Sequence, residues 1–458
     1  MNRIVGIGQA VPCVDGVERD YVDLDAAAST SALETVRDRV ERFLPWYSSV
    51  HRGAGYKSRV ATASYEEARE AALRFAGRDP EGPDVAIFCR NTTEAINHLA
   101  YRLRLSPDDT ILTTVVEHHA NMLPWGRVAR RRWIECDRDG TFDVAAVEAA
   151  LDVRPRPRLL AITGASNVTG WLPPIDAIIS AAHERDVPVL VDAAQLAPHR
   201  PLPAEADFLA WSGHKMYAPY GCGALVGTRD AFADGDPFLA GGGAVDLVDL
   251  DEVVWTDPPE REEAGSPNVV GAVALHAAID VLVDVGWDAI RAHDAAMSRR
   301  LRDGLAAVDG VRLLGPQSGS SHDTLAVAAF VVEDVHHALV AARLSAEHAI
   351  GVRHGCFCAH PYLIRLLGLS DAEVHQYRDG VLSGDRSAVP GAIRASCSLA
   401  TTEADVDALI TAVAAIASGE DAPVRYVQDR HTGDFWPEGT APGWSEADRA
   451  IGASCARS

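Results

Sequence analysis

Short apolar runs alternate with longer amphipathic ones through the first half of the chain. Residues 85–89, 110–116, 133–136, 159–163, 187–191, 206–211 and 222–227 are mostly β-branched or apolar. Runs of that kind predict strands covered on both faces. Helical patterns at 32–44, 61–75, 95–103, 144–151 and 175–185 precede or separate them. The alternation predicts an α/β fold around a mainly parallel sheet. Such sheets bind ligands in the crevice beyond the carboxyl ends of their strands.

After residue 268 the pattern changes. A long apolar helix is expected at 269–285, then a helix at 292–308, a strand at 324–332, a helix at 337–348, a loop around Gly355, and a helix at 403–417. This predicts a smaller α+β domain. The expected organisation is an N-terminal segment, 1–59, packing with the small domain; a large ligand-binding domain, 60–288; a small domain, 289–418, with a cysteine loop; and a polar extension, 419–458.

A chain of 458 residues is too long for one compact core, in keeping with that division. Its net charge of -23 argues against nucleic acid or an anionic membrane as the main partner, since phosphates are repelled. No apolar run approaches the ~20 residues of a membrane span, and the first residues lack a signal-peptide pattern. The 8 cysteines are scattered rather than arranged as a disulfide framework, which predicts a reducing cytoplasm.

The candidate chemistry centres on W-S-G-H-K-M-Y-A-P at 211–219. Lys215 lies in a tight loop between two apolar strands, where a lysine can lose its charge and act as nucleophile or base. Other polar groups follow strands in the same way. Asn91-Thr92-Thr93-Glu94 opens a helix and reads as a cap or a phosphate site. His118 and His119 read as a solvated pair, or as an imidazole lying on an aromatic ligand. Asn167 reads as a turn residue or a ligand contact. Asp192 ends an apolar strand, where a buried carboxylate needs a cationic partner. A phosphate cradle, a stackable imidazole, an acid for a pyridinium and a lysine for an aldehyde are what pyridoxal phosphate requires.

These stretches resemble the class V, fold-type I pyridoxal-phosphate aminotransferase superfamily, within it the cysteine desulfurase and selenocysteine lyase group. The resemblance rests on H-R-G at 51–53, T-T-E-A-I-N at 92–97, E-H-H-A-N-M-L-P-W at 117–125, S-N-V-T-G at 166–170, V-D-A-A-Q at 191–195, S-G-H-K at 212–215 and E-A-G-S-P-N at 263–268. It implies a large domain of mainly parallel sheet and a smaller α+β C-terminal domain. It implies that Lys215 links covalently to the cofactor and moves the Cα proton, and that Asp192 bonds the ring nitrogen. Gln195 would face the phenolic oxygen with Asn167 nearby, and His118 would stack on the ring. Thr92, Thr93, Ser212 and His214 would hold the phosphate. Ser266 would reach the phosphate of a neighbouring subunit, implying a homodimer.

The stretch G-V-R-H-G-C-F-C-A-H-P at 351–361 is similar to the R-x-G-x-x-C-A-x-P loop of that group. The resemblance makes Cys358 the persulfide-forming nucleophile. Arg394 would bind the substrate α-carboxylate, assisted by Arg353, with His51 and Asn167 also at the substrate. The implied activity converts L-cysteine, or a related derivative, to alanine and a Cys358 persulfide, which a sulfur-acceptor protein would collect. A C–S lyase giving pyruvate, or a class V aminotransferase or epimerase, are the alternatives. No metal is expected. Cys356 reads as a weak candidate for a resolving thiol. Asn91, Trp171, Glu262 and the pair Cys356-Phe357 depart from the family pattern.

Overall fold

The computed structural model describes residues 3–317 and 319–440. Helices α1 (Glu34–Phe43) and α2 (Tyr56–Phe75) come first. The second starts ahead of the expected residue 61, because its first turn is mostly exposed and carries no apolar stripe. A seven-stranded sheet follows, made of β1 (Asp84–Cys89), β2 (Thr110–Thr114), β3 (Arg130–Ile134), β4 (Leu159–Thr163), β5 (Val189–Asp192), β6 (Phe208–Ser212) and β7 (Gly223–Thr228). The spatial order is β1-β7-β6-β5-β4-β2-β3. Only β7 runs antiparallel to its neighbours. Helices α3 (Thr92–Arg102), α4 (Val144–Asp152) and α5 (Ile175–His183) lie between strands. β3 begins three arginines earlier than its apolar run, which an edge strand tolerates.

Helix α6 (Val269–Val285) is buried along most of its length and packs against α1 and α2. Gly286, at φ 82°, breaks it from α7 (Trp287–Ala306), which starts ahead of the expected residue 292. The smaller sheet contains β8 (Val311–Leu314), β9 (Val327–Val332), β10 (Arg353–Gly355) and β11 (Ala392–Ser396), all antiparallel in the order β8-β9-β11-β10. Its core joins α7 to α8 (His337–His348) and the last helix. Helices α9 (His360–Leu367) and α10 (Asp371–Leu382) escape the hydrophobic pattern, the latter because it buries no residue. The chain then enters α11 (Glu403–Ala417).

The N-terminal segment touches both bodies. Val22 and Asp23 pair with Ile350 and Gly351, Leu24 enters the smaller core, and α1 packs on α6. The described part of the extension forms a hairpin, β12 (Tyr426–Gln428) with β13 (Phe435–Pro437), against α8. Tyr426 Oη donates to Glu347 at 3.0 Å, and Asp434 sits 3.3 Å from His354 Nε2. Residues 441–458 of the expected extension lie outside the described residues.

Glu262, a departure from the family pattern, is buried beside a histidine and an arginine. His98 Nε2 lies at 2.6 Å and Arg102 Nε at 3.2 Å, both from α3. Removing the acid leaves the buried Arg102 with backbone carbonyl partners but without this carboxylate. Glu262→Ala is therefore expected to lose about 3–5 kcal/mol of stability. A urea titration that leaves the midpoint unchanged would contradict this.

Candidate active site

The loops after β1, β2, β4, β5 and β6 meet around a cavity of about 290 Å³ at the carboxyl ends of the parallel strands. β6 ends at Ser212 and turns tightly through Gly213 to Lys215. Gly213 is required there: a Cβ would sit 2.7 Å from the Cys222 carbonyl oxygen, which accepts the Gly213 N–H. The turn sends Lys215 into the cavity. Burial pulls its ammonium down to about 8; Asp192 opposes that and Arg394 adds to it.

Asp192 lines the same cavity at the end of β5. Its Oδ1 accepts the Ala194 N–H at 3.0 Å, and the other oxygen makes no hydrogen bond among the described residues. Burial raises its pKa, against the pull of Lys215. His118 caps a short turn, its Nδ1 accepting the Ala120 N–H at 3.0 Å. Burial, then Lys215, push His118 to about 3, so the ring is neutral. Glu117, just before it, is buried and pushed up to about 8 by burial. It accepts from Thr114 Oγ1 and Asn121 Nδ2, both at 2.7 Å.

The N-terminus of α3 opens on the opposite wall. Asn91 caps it through the Glu94 N–H at 3.0 Å, so this departure supplies a capping side chain. Thr92 N–H donates to Ser212 Oγ at 2.8 Å, and the two hydroxyls lie 2.7 Å apart. Thr93 and His214 complete this wall. The Thr93 N–H makes no hydrogen bond among the described residues, and a free amide at a helix start beside hydroxyls suits a phosphate. A buried acid with an unused oxygen suits a protonated ring nitrogen. The residues present therefore fit pyridoxal phosphate.

Gln195 and Asn167 line the cavity, yet each already donates to backbone: Gln195 to Ala27 O and Asn167 to Phe357 O, both at 2.7 Å. Two further residues lie outside this cavity's lining. His51 is held on α2, with Nε2 3.0 Å from Glu66 and its ring edge-on to Tyr65. Ser266 sits in the turn before α6, away from this cavity's lining. Trp171, another departure, is buried against Phe142.

Arg394 on β11 is 3% exposed. Its Nη1 donates to Asn167 O at 2.8 Å and its Nη2 to Asp25 Oδ1 at 3.0 Å. The other oxygen of Asp25 lies 2.7 Å from Arg353, so one carboxylate ties both guanidinium groups together. Nothing near Asp25 in the sequence signals this, since its partners are over 300 residues away. Phe357, named above as a departure, lies with its ring 5.2 Å from the Arg394 guanidinium.

Cys358 sits in a turn after β10. Phe357 and Cys358 have φ of 53° and 55°, and the Ala359 N–H closes onto Cys356 O at 2.9 Å. That is a left-handed tight turn built without glycine at its centre. Each such residue costs about 1–2 kcal/mol. Two bonds hold it: Asn167 Nδ2 to Phe357 O at 2.7 Å, and His119 N–H to Cys358 O at 2.8 Å. The Cys358 side chain is exposed. Asn167→Ala, which frees one end of the turn, is expected to lower kcat about tenfold. Steady-state kinetics with kcat unchanged would refute this bracing role.

The aminotransferase class-V family model matches residues 22–409. A probable cysteine desulfurase of Halobacterium salinarum is 34% identical over 406 residues, 86% of this chain and 91% of that protein. A cysteine desulfurase of Dickeya dadantii is 35% identical over 400 residues, 84% of this chain and 90% of that one. The structure of a cysteine desulfurase from Thermococcus onnurineus superposes with a TM-score of 0.77 at 30% identity, covering 87% of this chain and 95% of that one. An Escherichia coli cysteine desulfurase in its S-sulfonic acid form gives 0.73 at 33% identity, with the same coverage. The chain belongs to the aminotransferase class-V family, in its cysteine desulfurase group.

Proposed function

We propose that this protein is a pyridoxal-phosphate-dependent cysteine desulfurase. The carrying observation is that an exposed cysteine, Cys358, shares one cavity with Lys215, Asp192 and Arg394. Thr92, Thr93, Ser212 and His214 would hold the phosphate, Asp192 the ring nitrogen, and Lys215 the aldehyde carbon. When bound, the cofactor supplies an electron sink for charge at the substrate Cα.

Arg394 anchors the substrate carboxylate, and Arg353 and Asp25 fix its orientation. Lys215 takes the Cα proton. His118, neutral at physiological pH, holds the ring without competing for that proton. The Cys358 thiolate then attacks the substrate sulfur. L-Cysteine and the Cys358 thiol become L-alanine and a Cys358 persulfide. The exposed position of Cys358 suits delivery to an acceptor. The active form is proposed to be a homodimer in which Ser266 serves the other copy's phosphate. Its free thiols suit a reducing cytoplasm.

The test is to supply L-cysteine with a dithiol reductant and measure alanine, pyruvate and sulfide. Alanine in excess supports the desulfurase reading. Pyruvate with ammonia replaces it with a C–S lyase.

A further inference from the structure

The turn carrying Cys358 holds a second thiol that the proposed chemistry does not use. Cys356 is half-buried and lines a small pocket with His360, Leu363 and Tyr377. The backbone N–H groups of Cys358 and Ala359 face its sulfur. The sulfur thus folds back towards the residue two positions on. Its Cα separation from Cys358 follows from helix geometry, because Phe357 occupies the mirror-image helical region. A rise of about 1.5 Å per residue on a radius of about 2.3 Å puts positions i and i+2 about 5.4 Å apart. Disulfides span roughly 4.4–6.8 Å between Cα atoms. The turn therefore holds the two Cα atoms within the range a disulfide spans, and rotation about the side-chain bonds brings the sulfurs together.

We propose that Cys356 is a resolving cysteine: its thiolate attacks Sγ of persulfidated Cys358, forming a Cys356–Cys358 disulfide and expelling hydrosulfide. The proposal rests on the desulfurase reading, which supplies the persulfide. The step balances without an outside oxidant. One S–S bond forms as another breaks. The pair of the broken bond leaves with the terminal sulfur, which is reduced to sulfide, while Cys356 Sγ is oxidised to the disulfide level that Cys358 Sγ already holds. The proton lost by Cys356 is taken up by the departing sulfide. A dithiol reductant then restores both thiols. Sulfur that meets no acceptor leaves as sulfide, and the enzyme rests as a disulfide until it is reduced.

Burial raises the Cys356 thiol above its ordinary range. The titratable groups facing it are Cys358 and His360 from its own loop and α9, and Tyr377 from α10. Thiolate at Cys356 is therefore scarce near neutrality and grows with pH. An acceptor that docks promptly takes the sulfur first.

The experiment uses the holoenzyme, without oxygen, given one equivalent of L-cysteine per active site and no other thiol, acceptor or reductant. After quenching with an alkylating agent, the tryptic peptide 354–365 holds both cysteines and is weighed unreduced; alanine and sulfide are measured in parallel. The wild-type peptide should lose two hydrogens, with one sulfide released per disulfide, faster as pH rises. In Cys356→Ser the peptide should gain one sulfur and keep it, its persulfide decaying at least about tenfold more slowly than in wild type. Alanine accompanied by an equally lasting persulfide in both proteins overturns the inference alone. Absence of alanine overturns the desulfurase reading and the inference with it.

Discussion

Lys215→Ala is expected to abolish turnover, lowering alanine formation from L-cysteine about 10⁴-fold. The same variant should lose the absorbance near the visible edge that marks a covalently held cofactor. Both losses trace to one amine. In the proposed reaction this amine bonds the cofactor aldehyde and takes the Cα proton. Its neighbourhood already prepares it, because burial pulls its pKa to about 8. Cofactor uptake by the apo protein needs the neutral amine, so its rate should climb as pH rises through about 8 and level off above. Absorbance retained in the variant, or an uptake rate falling over that range, would sink the assignment.

Cys358→Ala should lower alanine output about a thousandfold, the scale of losing a nucleophile, while the cofactor absorbance stays. The substitution leaves Lys215 and Arg394 in place, so substrate still binds and still loses its Cα proton. What is missing is a sulfur acceptor. Any residual flux is then expected to appear as pyruvate through elimination. Full alanine output from this variant would show that sulfur leaves without a persulfide on Cys358.

Most of this site could be read from the sequence because its members follow strands directly. Asp192 at the end of β5, Lys215 after β6 and Thr92-Thr93 after β1 lie beside the apolar run that places them. The fold was readable for the same reason: β4 and α6 match their apolar runs end to end. What could not be read is what long-range contact decides. Asp25 has meaning only beside two arginines over 300 positions away. The pairing of His51 with Glu66 on the following helix is a contact its motif does not signal. Helix α10 carries no buried stripe, so hydrophobic periodicity had nothing to report.

The left-handed backbone at Cys358 sets two selections against each other. A glycine there would relax the chain and forfeit the reaction, so a screen that rewards only resistance to heat should enrich for a tougher, silent protein. Surveys of stabilised variants should find position 358 refilled by cysteine only where sulfur transfer is also demanded.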